Sequence, residues 1–240
     1  MHNPLGLSFA LFFLLASANA HASETAYTPK AVTRILAIGD SHSCGFYGRE
    51  LDRLLRTTDS PVDSYCAGGS VPSWWVLGRI ASMGFVARLA DGSVKRLHRR
   101  GRSTVPKLKN LILRSNPHLL IVSLGANMRG LSPAAVRKQA GLIIDVAQQF
   151  NVRLVWVGPP KQRVDILTAR GSERFHAFNY MLEDAMSPGA KFINSGQFTR
   201  AYAGHDGVHF SGARGKEIAH NWARGVFAAL CTHTIVCTND

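Results

Sequence analysis

Short apolar segments alternate with amphipathic segments along most of this chain. The apolar segments predict strands at Arg34–Ile38, Val62–Cys66, His118–Leu124, Arg153–Val157 and Lys191–Asn194. Apolar side chains that recur at helical spacing predict helices at Gly45–Arg56, Pro106–Arg114, Ser132–Phe150, Glu173–Ala185 and Gly212–Leu230. Because parallel strands need a crossover connection, the alternation indicates an α/β fold with a mainly parallel sheet.

One segment departs from this alternation. Phe85–Leu89 and Ser93–Leu97 are strand-like, and Asp91-Gly92 between them favours a tight hairpin turn. We therefore expect a hairpin inserted into a single domain, near residues 84–102. A basic cluster that includes Arg99 and Arg100 ends this insertion.

Polar or glycine residues follow three of the predicted strands. Ser41 follows the first, Gly68 and Gly69 follow the second, and Asn127 follows His118–Leu124. In an open parallel sheet, ligands bind beyond the carboxyl ends of the strands. These separate segments are therefore expected to meet at one edge of the sheet.

Ile35–Ser43, which reads ILAIGDSHS, carries the first candidate group. The apolar run ends at Gly39, and Ser41 stands near the start of the next helix. A helix start supplies unpaired N–H groups and partial positive charge, which suits a nucleophile. The same residues also fit an ordinary turn with an N-cap, in which His42 is a polar turn residue. This segment alone leaves both interpretations open.

Asp206 and His209 stand just before the last predicted helix. At this spacing the carboxylate can hold one ring nitrogen of the imidazole while the other faces a serine. The Asn127 amide and the backbone N–H of Gly68 or Gly69 could then stabilise the oxyanion of an acyl transfer. Taken singly, each of these residues also fits a turn.

In order and approximate spacing, these segments resemble the four sequence blocks of the SGNH (GDSL-like) hydrolases. The blocks are Gly39–Ser43, the Gly68-Gly69 turn, Gly125–Asn127 and Asp206–His209, and the resemblance spans about Arg34 to Leu230. It implies a flavodoxin-like three-layer sandwich with helices on both faces of the sheet. One departure is Met128, which stands where the family frequently has Asp.

The resemblance also implies roles for single residues. Ser41 would be the nucleophile, His209 the base and Asp206 the acid that orients it. Asn127 and either Gly68 or Gly69 would complete the oxyanion hole. The family works without a metal or another cofactor, and we expect neither here.

The N-terminus favours export. Leu5–Ala16 is almost wholly apolar, and Ala18–Ala20 and Ala20–Ala22 both fit a signal-peptide cleavage site. We expect residues 1–22 to be a signal peptide and residues 23–240 to form one domain in the periplasm or outside the cell. Since no Lys or Arg precedes the apolar run, an uncleaved anchor is the alternative. No later stretch is long and apolar enough to span a bilayer.

Four cysteines fit an exported protein with disulfides. Cys231 and Cys237 close a short C-terminal loop, so Cys44 and Cys66 would pair close to Ser41. Free buried thiols are the alternative. The spacing of the cysteines and histidines does not match a zinc site, and we expect no metal.

The net charge of +13 predicts attraction to polyanions, or simply a basic surface. Export favours an acylated envelope glycan as the partner and not nucleic acid. Trp74 and Trp75 could stack on sugar rings, although core packing fits them equally. Arg99 and Arg100 could meet anionic groups, although a solvated loop is the simpler interpretation.

These features together predict a serine esterase that removes short O-acyl groups, such as acetyl, from peptidoglycan or another envelope polysaccharide. One alternative is a lipase or thioesterase that acts on long acyl chains. Another is a non-catalytic polysaccharide-binding domain of the same fold. The sequence leaves the acyl group, its acceptor and the oligomeric state open.

Overall fold

The computed structural model of the chain describes residues 34–81, 83–97, 103–199, 205–233 and 237. The predicted signal peptide, Arg99 and Arg100 lie outside these residues. Within the described ranges, the predicted strands and helices are present in the predicted order, and α-helices at Pro72–Leu77 and Arg163–Leu167 and two short strands are additional.

The strands are β1 (Ile35–Gly39), β2 (Val62–Ala67), β3 (Ile80–Ala81), β4 (Phe85–Arg88), β5 (Val94–Leu97), β6 (Ser103–Thr104), β7 (Leu119–Ser123), β8 (Arg153–Val157) and β9 (Lys191–Ile193). Over the described residues, seven of them form one sheet in the order β5-β4-β2-β1-β7-β8-β9. Strands β2, β1, β7, β8 and β9 run parallel, and β3 pairs with β6 separately. The parallel strands follow the flavodoxin-like order, which places a topological switch point beside β1.

The helices are α1 (Ser41–Cys44), α2 (Phe46–Leu55), α3 (Pro72–Leu77), α4 (Leu108–Ser115), α5 (Pro133–Gln149), α6 (Arg163–Leu167), α7 (Ala169–Met186) and α8 (Gly212–His233). Short 3₁₀ turns occupy Arg56–Thr58, Ala126–Met128 and Ser195–Gln197. Helices α2 and α8 pack on one face of the sheet, and α3, α4, α5 and α7 pack on the other. The predicted three-layer α/β fold is therefore confirmed.

Strand β1 illustrates why its sequence is apolar throughout. Leu36 and Ile38 face the core on the α5 side, whereas Ile35 faces the α8 side. All three side chains are buried, because a central parallel strand is covered on both faces. Full burial of each stabilises the fold by ~1.5–3 kcal/mol.

The hairpin signal at Asp91-Gly92 corresponds to β4 and β5, which pair antiparallel. Instead of standing apart from the α/β core, the hairpin joins the central sheet, because β4 pairs antiparallel with β2. This pairing brings the hairpin to the edge of the sheet where β1 and β2 end.

None of the helices in the described part of the chain is long and apolar enough to cross a membrane.

Candidate active site

Ser41 is the first residue of α1, directly beyond the end of β1. Asp40 caps the helix, because its Oδ1 accepts a hydrogen bond from the backbone N–H of His42 at 3.0 Å. The Asp40 N–H donates to the carbonyl of Ser123, which fixes the turn to the neighbouring strand β7. A short, capped turn therefore presents Ser41 at the switch point of the sheet.

His209 joins Ser41 from the other end of the chain. Its Nε2 lies 2.7 Å from the Oγ of Ser41, and its Nδ1 lies 2.6 Å from the Oδ2 of Asp206. With Asp206 accepting the proton on Nδ1, Nε2 is left as the acceptor for the serine hydroxyl. This is the geometry in which an imidazole can remove the proton from a serine that attacks a carbonyl carbon.

Asp206 is held in place by the backbone of its own loop. Its Oδ1 accepts the N–H groups of Val208 and His209, at 2.9 and 2.8 Å. Burial alone would raise the pKa of Asp206, but these hydrogen bonds and the His209 imidazole together hold that pKa below its ordinary value. Asp206 is therefore ionised at neutral pH and can stabilise a protonated His209.

The loop around Asp206 rests on α6. The backbone N–H of Arg163 donates to the carbonyl of Gly207 at 3.0 Å. On the same short helix, the buried Asp165 carboxylate forms an ion pair with Arg129, whose Nη1 is 2.8 Å from Oδ2. Since Arg129 closely follows Asn127, α6 connects the Asn127 turn to the Asp206 loop. Sequence reasoning missed this connection, because helix α6 was not predicted.

The candidate oxyanion donors also converge here. The Asn127 Nδ2 donates to the carbonyl of Ser70 at 3.1 Å, which fixes the amide and leaves its second N–H to another acceptor. The Gly68 N–H donates to the Gly84 carbonyl at 2.9 Å. Gly69 has a φ of 77°, and its N–H forms no hydrogen bond with the residues that the structure describes. Of the two glycines left open by the sequence, Gly69 keeps its donor available.

His42 departs from the expectation of a polar turn residue. It is only 5% exposed, with its ring 5.2 Å from that of His209 and edge-on to Trp222 at 5.7 Å, centroid to centroid. Burial, helped by the nearby His209, lowers the pKa of His42 to about 3. Its Nε2 is buried and has no hydrogen-bond partner in the described part of the chain. His42 is therefore a neutral wall of the site at physiological pH.

An open groove of about 370 Å³ leads from Ser41 and His209 towards the hairpin. It is lined further by Cys44, Gly45, Gly68, Met83, Gly84, Phe85, Val86, Arg96 and Leu97. Sequence reasoning did not single out Met83, Arg96 or Leu97. The hairpin signal placed them near one another, but only its pairing with β2 brings them to Ser41.

The two tryptophans proposed for sugar binding differ. Trp75 is completely buried and its Nε1 donates to the Oγ of Ser70, so it is a core residue and not a sugar contact. Trp74 is partly buried and packs against the same core. No group of three or more His, Cys, Asp or Glu side chains suited to a metal ion occurs in the described ranges.

Both cysteine pairs are disulfide-bonded in the structure. Cys44 on α1 is joined to Cys66 on β2, with their Cα atoms 5.4 Å apart. Cys231 is joined to Cys237, with 5.1 Å between the Cα atoms. The first bond ties the helix that carries Ser41 to the neighbouring strand.

No protein-family model and no curated protein sequence matches this chain. Its fold, however, matches solved structures over most of its length. One is a DUF4886 family protein from Bacteroides uniformis ATCC 8492, with a TM-score of 0.58, 14% identity, and coverage of 85% of this chain and 84% of that chain. Another, from Slackia heliotrinireducens, carries a provisional SGNH hydrolase assignment, with a TM-score of 0.55, 15% identity and coverage of 82% and 100%. The psychrotrophic esterase EstA from Pseudoalteromonas sp. matches with a TM-score of 0.50, 16% identity and coverage of 83% and 99%.

The chain has the SGNH hydrolase fold. Within this SGNH fold, Ser41, Gly69 and Asn127 follow different strands of the sheet, and His209 contacts Ser41 from the loop before α8. Met128, at the position where the family frequently has Asp, is completely buried in the core on the α5 side. Met128 therefore packs under the Asn127 turn as a core residue.

Proposed function

We propose that this chain is an exported serine esterase of the SGNH type. The observation that carries the proposal is the continuous contact from Asp206 through His209 to Ser41, at 2.6 and 2.7 Å. Three side chains from two distant segments form this line at the mouth of an open groove. Two turns with amide donors stand beside it, as an acyl-transfer site requires.

The proposed reaction is a double displacement. The Oγ of Ser41 attacks the ester carbonyl carbon while its proton passes to the Nε2 of His209. The amide of Asn127 and the N–H of Gly69 stabilise the oxyanion. Collapse of this intermediate breaks the ester bond, and His209 returns the proton to the leaving alcohol. Water then attacks the acyl-serine with His209 as base, which releases the acid and restores Ser41.

We infer that the substrate is a short O-acyl ester, such as an acetyl group, on peptidoglycan or another envelope polysaccharide. Support comes from the net charge of +13, the apolar leader sequence and the two disulfides, which fit an oxidising compartment that holds acidic polymers. The groove that contains Ser41 and His209 is also open to solvent, as access by a polymer requires. The periplasm or the cell exterior is the proposed location.

A lipase or thioesterase for long acyl chains is the second candidate. It is favoured by two exposed apolar side chains on the groove, Met83 at 53% and Leu97 at 44% exposure. An acyl chain bound there would bury apolar surface that now faces water. The two candidates differ in the acyl length that they predict.

The test is ester hydrolysis by the purified chain and by Ser41→Ala, with Ser43→Ala as the matched control in the same turn. p-Nitrophenyl acetate, p-nitrophenyl decanoate and O-acetylated peptidoglycan are the substrates, and acid release is followed. We expect wild type and Ser43→Ala to release acetate and Ser41→Ala to lose on the order of 10³-fold or more in kcat. Preference for decanoate would favour the lipase. Binding of the glycan without any hydrolysis would favour a non-catalytic domain.

A further inference from the structure

Among the residues that the structure describes, one arginine lies on the hairpin side of the groove. Arg96 on β5 lines the same groove as Ser41 and His209. Its side chain is exposed, and it stands outside the Arg99 and Arg100 cluster that the sequence suggested. The hairpin therefore places a positively charged side chain on the wall of the groove that contains the proposed nucleophile.

The strand register sets how far away this group lies. Gly39 is opposite Cys66, Cys66 is opposite Val86, and Val86 is opposite Arg96, so the four residues form one row across the sheet. With strands spaced ~4.8 Å apart, Arg96 stands ~14 Å from Gly39 along this row. Ser41 follows Gly39 closely, and an arginine side chain is long. The Arg96 guanidinium can therefore reach a group of the substrate that lies near the ester but takes no part in its hydrolysis.

Two further arginines lie close to Arg96 but do not line the groove. Arg88 on β4 is the diagonal neighbour of Arg96 in the hairpin register, and Arg49 on α2 lies within electrostatic range of Arg88. Among the described residues, none of these three arginines forms an ion pair within 4.0 Å. Arg96 therefore carries the positive charge in the groove itself, and Arg88 lies behind it in the lining of a neighbouring cavity.

The Asp52 carboxylate neutralises these arginines only in part, because it is shared with Arg56 and Ser64. Asp52 accepts two hydrogen bonds from Arg56, at 3.0 and 3.2 Å, and one from the Ser64 hydroxyl at 2.6 Å. Arg88 itself is only 8% exposed, and burial lowers its pKa; Asp52 acts against this shift, whereas Arg96 and Arg49 add to it. A bound anion would relieve this repulsion, whereas a neutral ligand would not.

We propose that Arg96 binds a carboxylate on the substrate, next to the ester that Ser41 attacks. This inference rests on the proposed function and narrows the substrate to acylated glycans that carry acidic sugars. A guanidinium pairs with a carboxylate through two parallel hydrogen bonds, which fixes orientation as well as charge. The apolar residues beside Arg96, Val86 and Leu97, can contact the less polar face of a sugar ring.

Binding is tested first, without catalysis. Trigalacturonate is titrated into Ser41→Ala, and into the same protein with Arg96→Gln or with Lys95→Gln. Lys95 is the matched control, since it carries the same charge on the same exposed strand but points to the other face. We expect Arg96→Gln to weaken binding about tenfold and Lys95→Gln to change it less than about twofold. The proposal would be overturned if both variants lost the same affinity for trigalacturonate or if Ser41→Ala did not bind it. Tighter binding of inorganic phosphate than of trigalacturonate would also overturn it.

Turnover is the second test. Acetate release is compared between O-acetylated polygalacturonate and the same polymer after its carboxylates are converted to neutral amides. The kcat/KM for the anionic polymer should exceed that for the neutral polymer in wild type and in Lys95→Gln. In Arg96→Gln the ratio of the anionic to the neutral value should fall about tenfold. If wild type, Lys95→Gln and Arg96→Gln all hydrolyse the two polymers with the same ratio of kcat/KM values, the carboxylate site is refuted. The proposed esterase activity is not affected by that result. Trigalacturonate binding that depends on Arg96 in a protein inert towards every ester would refute the esterase and leave the binding site.

Discussion

The backbone N–H of His42 donates to the Oδ1 of Asp40 at 3.0 Å, and both side chains are buried beside Ser41. Burial shifts their pKa values in opposite directions, raising that of Asp40 to about 7 and lowering that of His42 to about 3. Both shifts favour the neutral form. Through most of the acidic pH range, Asp206 is therefore the carboxylate whose charge acts on His209.

Asp40 makes the stability of the fold depend on pH. Its folded pKa of about 7 lies above the ordinary value of 3.8, so the folded state holds more protons between these two values. The stabilisation by protonated Asp40 is full below pH 3.8 and is lost as the pH rises through about 7. Asp40→Asn keeps an oxygen for the His42 N–H but cannot ionise. As the pH rises between these limits, the free energy of unfolding of Asp40→Asn should increase relative to that of wild type by up to ~1.4 kcal/mol per pH unit.

Urea unfolding of wild type and Asp40→Asn at several pH values between 4 and 8 measures this gain, since all other groups titrate in both proteins. Asp59→Asn is the control, because Asp59 lies at an exposed turn. A difference between wild type and Asp40→Asn that stays constant over this range would contradict the buried, protonated Asp40.

His42 should remain neutral well below the ordinary pKa of a histidine. With its pKa lowered to about 3 by burial, its ring nitrogens should keep their neutral ¹⁵N shifts down to about pH 5. Long-range ¹H–¹⁵N spectra measure this, and the loss of one ring signal in His42→Gln assigns it. A titration midpoint near 6.5 would mean that water reaches the ring.

The ion pair of Arg129 with Asp165 should contribute strongly to stability. The Asp165 side chain is 1% exposed, so Arg129→Ala leaves a buried carboxylate without its partner. We expect a loss of ~3–5 kcal/mol in the free energy of unfolding. Arg137→Ala is the matched control, because Arg137 and Asp184 form a pair in which both side chains are more than half exposed. That control should lose less than ~1 kcal/mol, as surface pairs do.

The location of the candidate site could be predicted from the sequence, because the carboxyl ends of parallel strands all lie at the same edge of the sheet. That rule needs no contact information, so Ser41, Asn127 and the Gly68-Gly69 turn could be assigned to one edge from their positions after apolar segments. Asp206 and His209 follow no predicted strand directly and were assigned from their spacing and the family resemblance. The contact between His209 and Ser41 joins residues 168 positions apart, so no local sequence pattern could give its distance.

The surroundings of His42, the two tryptophans and Arg96 could not be predicted, because they depend on contacts between residues far apart in the sequence. His42 was expected in a polar turn, but Trp222 and Phe210, far along the chain, bury it. Trp74 and Trp75 are neighbours in sequence, yet one turn of α3 buries only the second completely. Arg96 was missed because the alignment of β4 on β2, and not the hairpin signal, carries it to the groove.

Asn127 should act on the rate of reaction more than on stability. Its side chain is exposed and its Nδ2 is fixed by the Ser70 carbonyl, so its second N–H is preorganised for an oxyanion. We expect Asn127→Ala to lower kcat by roughly 10²–10³-fold, with a smaller effect on KM. Asn110→Ala, at an exposed position of α4, is the control. An unchanged kcat in Asn127→Ala would remove this amide from the mechanism.

The disulfide between Cys44 and Cys66 should stabilise the chain more than the one between Cys231 and Cys237. The first pair is separated by 22 residues and the second by 6, so the first removes more entropy from the unfolded chain. In the chain-entropy description the two bonds contribute ~3 and ~2 kcal/mol. Replacing both cysteines of each pair by alanine, and measuring urea unfolding, compares them directly. The Cys44→Ala/Cys66→Ala protein should also lose activity, because α1 carries Ser41 and is tied to β2 by this bond. Non-reducing peptide mapping of the wild type provides the check on pairing, and a peptide joining Cys44 to Cys231 would contradict it.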